Sequence, residues 1–362
     1  MTEPSQPETV EPAAPAPPTA PDDRRARQVA LGFMAFIATG LILIGLSAVV
    51  RQAGSGEPAP TVESGSSAPV AGASGGGASV DPGSSASGGP SSAPSTPSGD
   101  PVLIGAGDIA DCSREADAAT AALLAGQPGI VFTAGDNVYP SGSATQFDEC
   151  YGPTWGRELA RTRPVPGNHD HESAGLAGYL GYFGEAAAPD GTVWYSYDVG
   201  AWHVIALDSS CALAGGCDPD SPQGRWLAAD LAASDARCTL AIWHHPRFSS
   251  GEHGNDPSVA PLWDLLHAAG ADVVVNGHDH DYERFAPQDP DGVADPTGGI
   301  RQFVVGTGGA ELRAFGDQAA NSELRAAGYF GVLRLVLHGA SYEWSFLTTA
   351  GIVLDAGNTN CH

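Results

Sequence analysis

The 362-residue chain has no lysine. Its 16 basic residues are all arginine, set against 42 Asp and Glu, for a formal net charge of −26. Binding to a phosphate backbone needs a basic face, so this balance excludes a nucleic-acid partner. It also argues against adhesion to an anionic membrane surface. Gly306-Thr307-Gly308-Gly309 lacks the Lys-Ser/Thr of a P-loop, which removes nucleotide binding there and leaves a tight turn lining a crevice. No internal repeat is present. Glycine and proline are in excess instead, at 48 and 29 residues, too many for a uniformly globular chain, although 42% hydrophobic residues still supply a core.

The composition breaks into zones. Residues 1–28 begin Pro-, Glu-, Ala- and Thr-rich without apolar periodicity and read as a disordered cytoplasmic tail. Val29–Val50 is uncharged throughout and, as a helix at about 1.5 Å per residue, spans about 33 Å, enough for a hydrocarbon core of about 30 Å. Arg24, Arg25 and Arg27 precede it and only Arg51 closely follows, so the positive-inside bias expects a single-pass helix with the remainder of the chain extracytoplasmic. The alternative is a cleaved signal peptide, but the apolar run is long for one and no clear small-x-small site follows. Residues 51–100 form the linker: 39 of the 47 residues from Ala53 to Gly99 are Gly, Ser, Pro or Ala. As a random coil this tether reaches roughly 38 Å.

Residues 101–362 read as one α/β domain. Apolar runs at Val102–Ala106, Ile130–Ala134, His203–Leu207, Thr239–Trp243, Asp272–Asn276 and Gln302–Val305 alternate with helical stretches at Asp117–Leu124, Gln223–Ala233 and Ser258–Ala269. Hairpins are expected at Trp194–Leu207 and Tyr329–Thr348. All six cysteines lie in this domain, and an even number on the outer side of a membrane suits disulfides: Cys211–Cys217 as a local clasp, Cys112–Cys150, and Cys238–Cys361 tying the C-terminus to a strand. Reduced, buried thiols are the alternative.

Five short motifs recur in this domain, most of them directly after β-like runs: Gly107-Asp108, Gly135-Asp136-Asn137-Val138-Tyr139, Gly167-Asn168-His169-Asp170, Trp243-His244-His245-Pro246 and Gly277-His278-Asp279-His280. In an open α/β sheet the carboxyl ends of strands face one crevice, so the motifs should converge. The donors Asp108, Asp136, Asn168, His244, His278 and His280 mix oxygen and nitrogen, which suits two Zn, Mn or Fe ions better than a thiolate site. His278 and His280, two residues apart, would project to the same side of an extended segment.

This ordered set resembles the calcineurin-like metallophosphoesterases, and the Gly-Asp-x-x-Tyr form resembles their purple acid phosphatase branch. The resemblance covers roughly residues 101–345. It implies a four-layer α/β/β/α sandwich with a binuclear centre in which Asp136 bridges both ions. Asp108, Tyr139 and His280 would complete one site; Asn168, His244 and His278 would complete the other. A Tyr139 phenolate would favour Fe³⁺, paired with Zn²⁺, Mn²⁺ or Fe²⁺; the competing reading is a packing tyrosine. Two departures stand out. Gly107-Asp108-Ile109-Ala110 lacks the usual second glycine, and Ala241 replaces a valine, though neither change removes a ligand.

The implied chemistry is attack of a metal-bridging hydroxide on phosphorus. His169, next to Asn168, would protonate the leaving alkoxide, with Asp170 holding its ring. In His244-His245 the family pattern makes His244 the ligand and leaves His245 beside the substrate. His253 sits where related enzymes reach the substrate phosphate. The expectation is therefore a membrane-anchored phosphatase of small phosphomonoesters. A phosphodiesterase or nucleotidase using the same centre, or a non-catalytic cell-surface domain, are the alternatives. Sequence alone leaves the oligomeric state open.

Overall fold

The structure, a computed structural model, describes residues 99–362. The tail, the expected Val29–Val50 span and nearly all of the tether lie outside the described residues. Among the described residues no helix is long and apolar enough to cross a membrane.

Two sheets carry the domain. In the first, β1 (Val102–Ala106), β3 (Ile130–Thr133) and β5 (Thr162–Arg163) run parallel. On the other side of β1, β13 (Gly331–Leu337), β14 (Ser341–Thr348) and β15 (Val353–Asn360) continue the sheet antiparallel. The second sheet has a parallel centre of β11 (Arg301–Val305), β9 (Val273–Asn276), β8 (Cys238–Ile242) and β7 (Trp202–Ala206). It is flanked by antiparallel β6 (Tyr195–Val199) on one side and β10 (Tyr282–Phe285) and β12 (Ser322–Ala326) on the other. The ribbon β2 (Ala110–Asp111) and β4 (Val138–Tyr139) lies beside these.

Side-chain alternation along the second sheet explains the layering. Val204, Leu240, Ile242, Val273, Val275, Phe303 and Val305 point into a core shared with Leu103, Ile104, Leu333 and Leu335 of the first sheet. Their neighbours Ile205, Ala241, Val274 and Val304 face the other way, onto Leu227 of helix α2 (Pro222–Ala233) and Leu262, Trp263 and Leu266 of helix α3 (Ala260–Ala268). Helix α1 (Ala116–Ala125) buries Leu124 in the first core. Near-continuous apolar runs are what a sheet buried on both faces requires. Ser221 starts α2 by accepting the Gly224 N–H at 2.9 Å, with Pro222 at the first helical position.

Cys112 pairs with Cys150, Cys211 with Cys217, and Cys238 with Cys361. Six strands were not foreseen from the sequence: the two-residue β2, β4 and β5, and the longer β10, β12 and β15. In β15, for instance, half-polar residues on an edge leave little apolar alternation to read.

Candidate metal centre

Strand register brings the motifs together. β1 and β3 pair in parallel, with Ala106 opposite Thr133, so the two chains leave the sheet side by side. Beyond their ends the Asp108 N–H donates to Gly135 O at 3.0 Å and the Ile109 N–H to Asp136 O at 3.0 Å. In the second sheet β8 and β9 end together, and the Gly277 N–H donates to His244 O at 3.0 Å. The Gly107 N–H joins the sheets through Val305 O at 2.9 Å. Asp108, Asp136 and His278 all adopt left-handed backbone conformations, with φ of 58°, 46° and 73°. Three such non-glycine residues at neighbouring strand ends mark stored local strain, which clusters at functional sites.

Two donor clusters result, and they share one atom. In the first, Tyr139 Oη lies 2.7 Å from Asp108 Oδ1, 2.9 Å from Asp136 Oδ2 and 3.2 Å from His280 Nε2. His280 Nε2 is 3.1 Å from Asp108 Oδ1. In the second, His244 Nε2 lies 3.1 Å from Asn168 Oδ1, 3.2 Å from His278 Nδ1 and 3.3 Å from the same Asp136 Oδ2.

The protonation pattern shows that these atoms suit cations. His244 Nδ1 faces Ala134 O at 2.9 Å, and His280 Nδ1 faces Glu311 O at 2.6 Å. A carbonyl only accepts, so each Nδ1 carries a proton and each Nε2 is the atom turned into the cluster, its lone pair available to a metal ion in place of a second proton. Lone pairs of histidine, carboxylate and amide oxygen therefore converge. Burial works against charge on His244, but Asp136 and Asp108 outweigh it and hold its pKa at about 10. Burial likewise opposes ionisation of Asp136, yet His244 and His169 keep that carboxyl well below the usual range. His278 is pushed far down by burial and by His244, His245 and His253. Burial and the two aspartates raise Tyr139, so its phenol ionises only if a strong cation is beside it. A buried set with this demand for positive charge fits two hard-to-borderline metal ions.

Glycines make room for the ligands. A Cβ on Gly167 would sit 2.2 Å from Asp136 Oδ1, and one on Gly277 would sit 2.6 Å from Asp108 Oδ2.

Two expectations need correction. Asp170 does not hold the His169 ring. It is fully buried and accepts from the Gly167 N–H at 2.9 Å and from Asn137 Nδ2 at 2.9 Å, shaping the loop instead. Burial and nearby Asp136 raise its pKa to about 7. The His169 ring is oriented by Pro140 O, 2.6 Å from Nδ1, while Nε2 stands 3.9 Å from Asp136 Oδ2. The second correction concerns His278 and His280, which do not share one side of an extended segment. His278 sits at positive φ, and the Asp279 and Asp281 N–H groups fold back onto Gly277 O and Asp279 O. The two imidazoles consequently serve different clusters.

His245 lies beside the second cluster. Its Nδ1 is 2.8 Å from Ser209 Oγ, and burial and His244 lower its pKa to about 4. His253 is exposed and stacks on His278, ring centroids 4.2 Å apart. Sequence reasoning missed Pro140, Ser209, Glu311 and Arg313. Ser209 follows the run ending at Leu207, so the strand-end rule could have found it; the two carbonyls and Arg313 carry no local signal.

An α/β/β/α sandwich with oxygen and nitrogen donors gathered at its strand ends is the arrangement of a metal-dependent phosphoesterase. Residues 101–282 match the calcineurin-like phosphoesterase family model, and the chain belongs to that family. Its similarity within the family is to purple acid phosphatases. It is 31% identical over 168 residues to purple acid phosphatase 18 of Arabidopsis thaliana, covering 42% of this chain and 37% of the relative. It is also 31% identical over 211 residues to purple acid phosphatase 21 of the same plant, covering 52% and 47%. The chain thus spans less than half the length of these relatives. Among solved structures, yellow lupin purple acid phosphatase PPD1 shares the fold with a TM-score of 0.58 at 18% identity, over 72% of this chain and 53% of that one.

Proposed function

We propose that the chain is a membrane-tethered, extracytoplasmic phosphatase with a binuclear metal centre that hydrolyses small phosphomonoesters. The observation that carries this reading is Asp136 Oδ2, which lies within 3.3 Å of donors from both clusters. Asp108, Tyr139 and His280 would hold one ion, Fe³⁺; Asn168, His244 and His278 would hold the other, Zn²⁺, Mn²⁺ or Fe²⁺; Asp136 would bridge. When bound, such a pair supplies Lewis acidity to the phosphoryl oxygens and acidifies water. The protein's own residues do the remaining work. His169, with Nδ1 engaged by Pro140 O, presents Nε2 as the atom that would deliver a proton to the departing alkoxide. His245, held neutral by burial, and His253 would donate hydrogen bonds to the phosphate. An acidic domain could still receive an anion here, because bound metal ions would dominate the field at the site.

The location rests on the uncharged Val29–Val50 run behind Arg24, Arg25 and Arg27, and the three cysteine pairs are consistent with an oxidising compartment. Full-length protein should fractionate with membranes, with its domain open to added protease in cells stripped of outer layers. Deleting residues 29–50 should abolish membrane association; unchanged fractionation would remove the anchor. For the chemistry, metal-loaded protein is assayed on nitrophenyl phosphate and bis(nitrophenyl) phosphate. Faster monoester turnover is expected, and a diester preference would favour a phosphodiesterase.

A further inference from the structure

Among the described residues, Arg313 is an arginine tied to both donor clusters, through its main chain to one and through its guanidinium to the other. Its backbone N–H donates to His280 O at 3.0 Å, beside the first cluster. Its guanidinium donates through Nη1 to His253 Nε2, and the His253 ring stacks on His278 of the second cluster at 4.2 Å. Arginine only donates, so this contact leaves the His253 proton on Nδ1 and makes that atom a donor as well. Both residues are anchored through their main chains. The His253 N–H donates to Asp279 Oδ1 at 2.9 Å, and Asp279 is fully buried and also bound by the Ser249 hydroxyl. The nearest acid to the guanidinium is Glu252, 3.7 Å away with its side chain 67% exposed, a weak and solvent-screened partner. Glu311 on the same loop is engaged with Arg114 at 3.1 Å.

The order outward from the cluster is His278, His253, Arg313. A phosphoryl group held at such metals would meet His253 first, with the guanidinium one imidazole further along this line of contacts. We propose that Arg313, backed by His253, reads a second anionic group on the substrate. The favoured substrates would then be phosphomonoesters whose alcohol portion carries a carboxylate or another phosphate. This deepens the phosphatase reading and rests on it. The planar fork of arginine matches such oxygen pairs better than an ammonium does.

The test compares full-length, metal-loaded wild type with Arg313→Gln and Arg313→Lys. The substrate pairs are phosphoglycerate against glycerol phosphate, and fructose bisphosphate against fructose monophosphate. The wild type should prefer the member with the extra anion, mainly through KM. Arg313→Gln should cut that preference ratio by about tenfold or more. Arg313→Lys should keep part of it, and added salt should erode it. Calorimetric affinities for phosphoglycerate and glycerol phosphate provide a readout independent of turnover, and their ratio should fall in parallel. Identical ratios in wild type and Arg313→Gln, in both turnover and binding, would overturn the proposal while leaving the phosphatase reading intact. Selective binding without hydrolysis of any phosphomonoester would instead fault the phosphatase reading and support the subsite.

Discussion

Gly167→Ala isolates the role of Asp136, because it adds one methyl group at a chosen atom. Gly167 has a negative φ of −116°, so alanine meets no backbone penalty there. The new Cβ would lie 2.2 Å from Asp136 Oδ1 and 2.3 Å from Asp136 N, against the 3.4 Å or more of ordinary contact. Oδ1 is not free to retreat, because it accepts the His169 N–H at 2.8 Å. The clash must therefore be relieved by moving the carboxylate that both clusters share. Overpacking of this kind costs about 1–3 kcal/mol, or roughly 3–10 °C in Tm for a domain of this size. Displacing a ligand by a fraction of an ångström should weaken metal binding about 10–100-fold. Gly181→Ala is the control: it lies in the helix Ala177–Phe183, and its Cβ would meet nothing within 4 Å. That variant should match or slightly exceed wild-type stability. The assays are thermal melts and competition with a chelator for each metal. Wild-type metal affinity in Gly167→Ala would refute the shared-carboxylate account.

Tyr139→Phe should abolish any visible charge-transfer band of the metal-loaded protein while leaving Asp108, Asp136 and His280 in place; a surviving band would remove the phenolate. His169→Ala should lower kcat about 10²–10⁴-fold with metal content unchanged, and an unaltered kcat would sink its proton-transfer role. In β7, His203 bridges Asp230 at 2.8 Å and Asp198 at 2.9 Å. The hydrogen bond to Asp230 raises its pKa above 6.5, more than burial lowers it, and Asp198 adds to the rise. Folding therefore favours the protonated ring, and the resulting stability is complete below pH 6.5 and fades as pH climbs through the folded pKa. His203→Gln should cost more stability in urea titrations below pH 6.5 than in alkaline buffer.

Much of the domain was legible because its signals are local. Val102–Ala106, Thr239–Trp243 and Asp272–Asn276 announce buried strands by composition, and the Gly-ligand pairs after them mark strand ends. What stayed hidden depends on long-range partners. Pro140 and Glu311 orient His169 and His280 through main-chain carbonyls, which look the same in every residue. Asp170 follows His169 in sequence, which suggested a contact between them, but the short helix Asn168–His171 turns it onto Gly167 and Asn137. The positive φ of His278 overrode the period-two expectation for His278 and His280. β12 and β15, at the sheet edges, needed their neighbours to be recognised as strands.

The central claim is that one aspartate joins two metal sites. Metal analysis of the full-length protein, purified without chelators, tests it most directly. Two ions per chain are expected for wild type, with loss of both sites in Asp136→Ala, whereas His280→Ala should spare the site of Asn168, His244 and His278. A wild-type chain that binds one ion or none, or an Asp136→Ala chain that still holds two, would contradict the account.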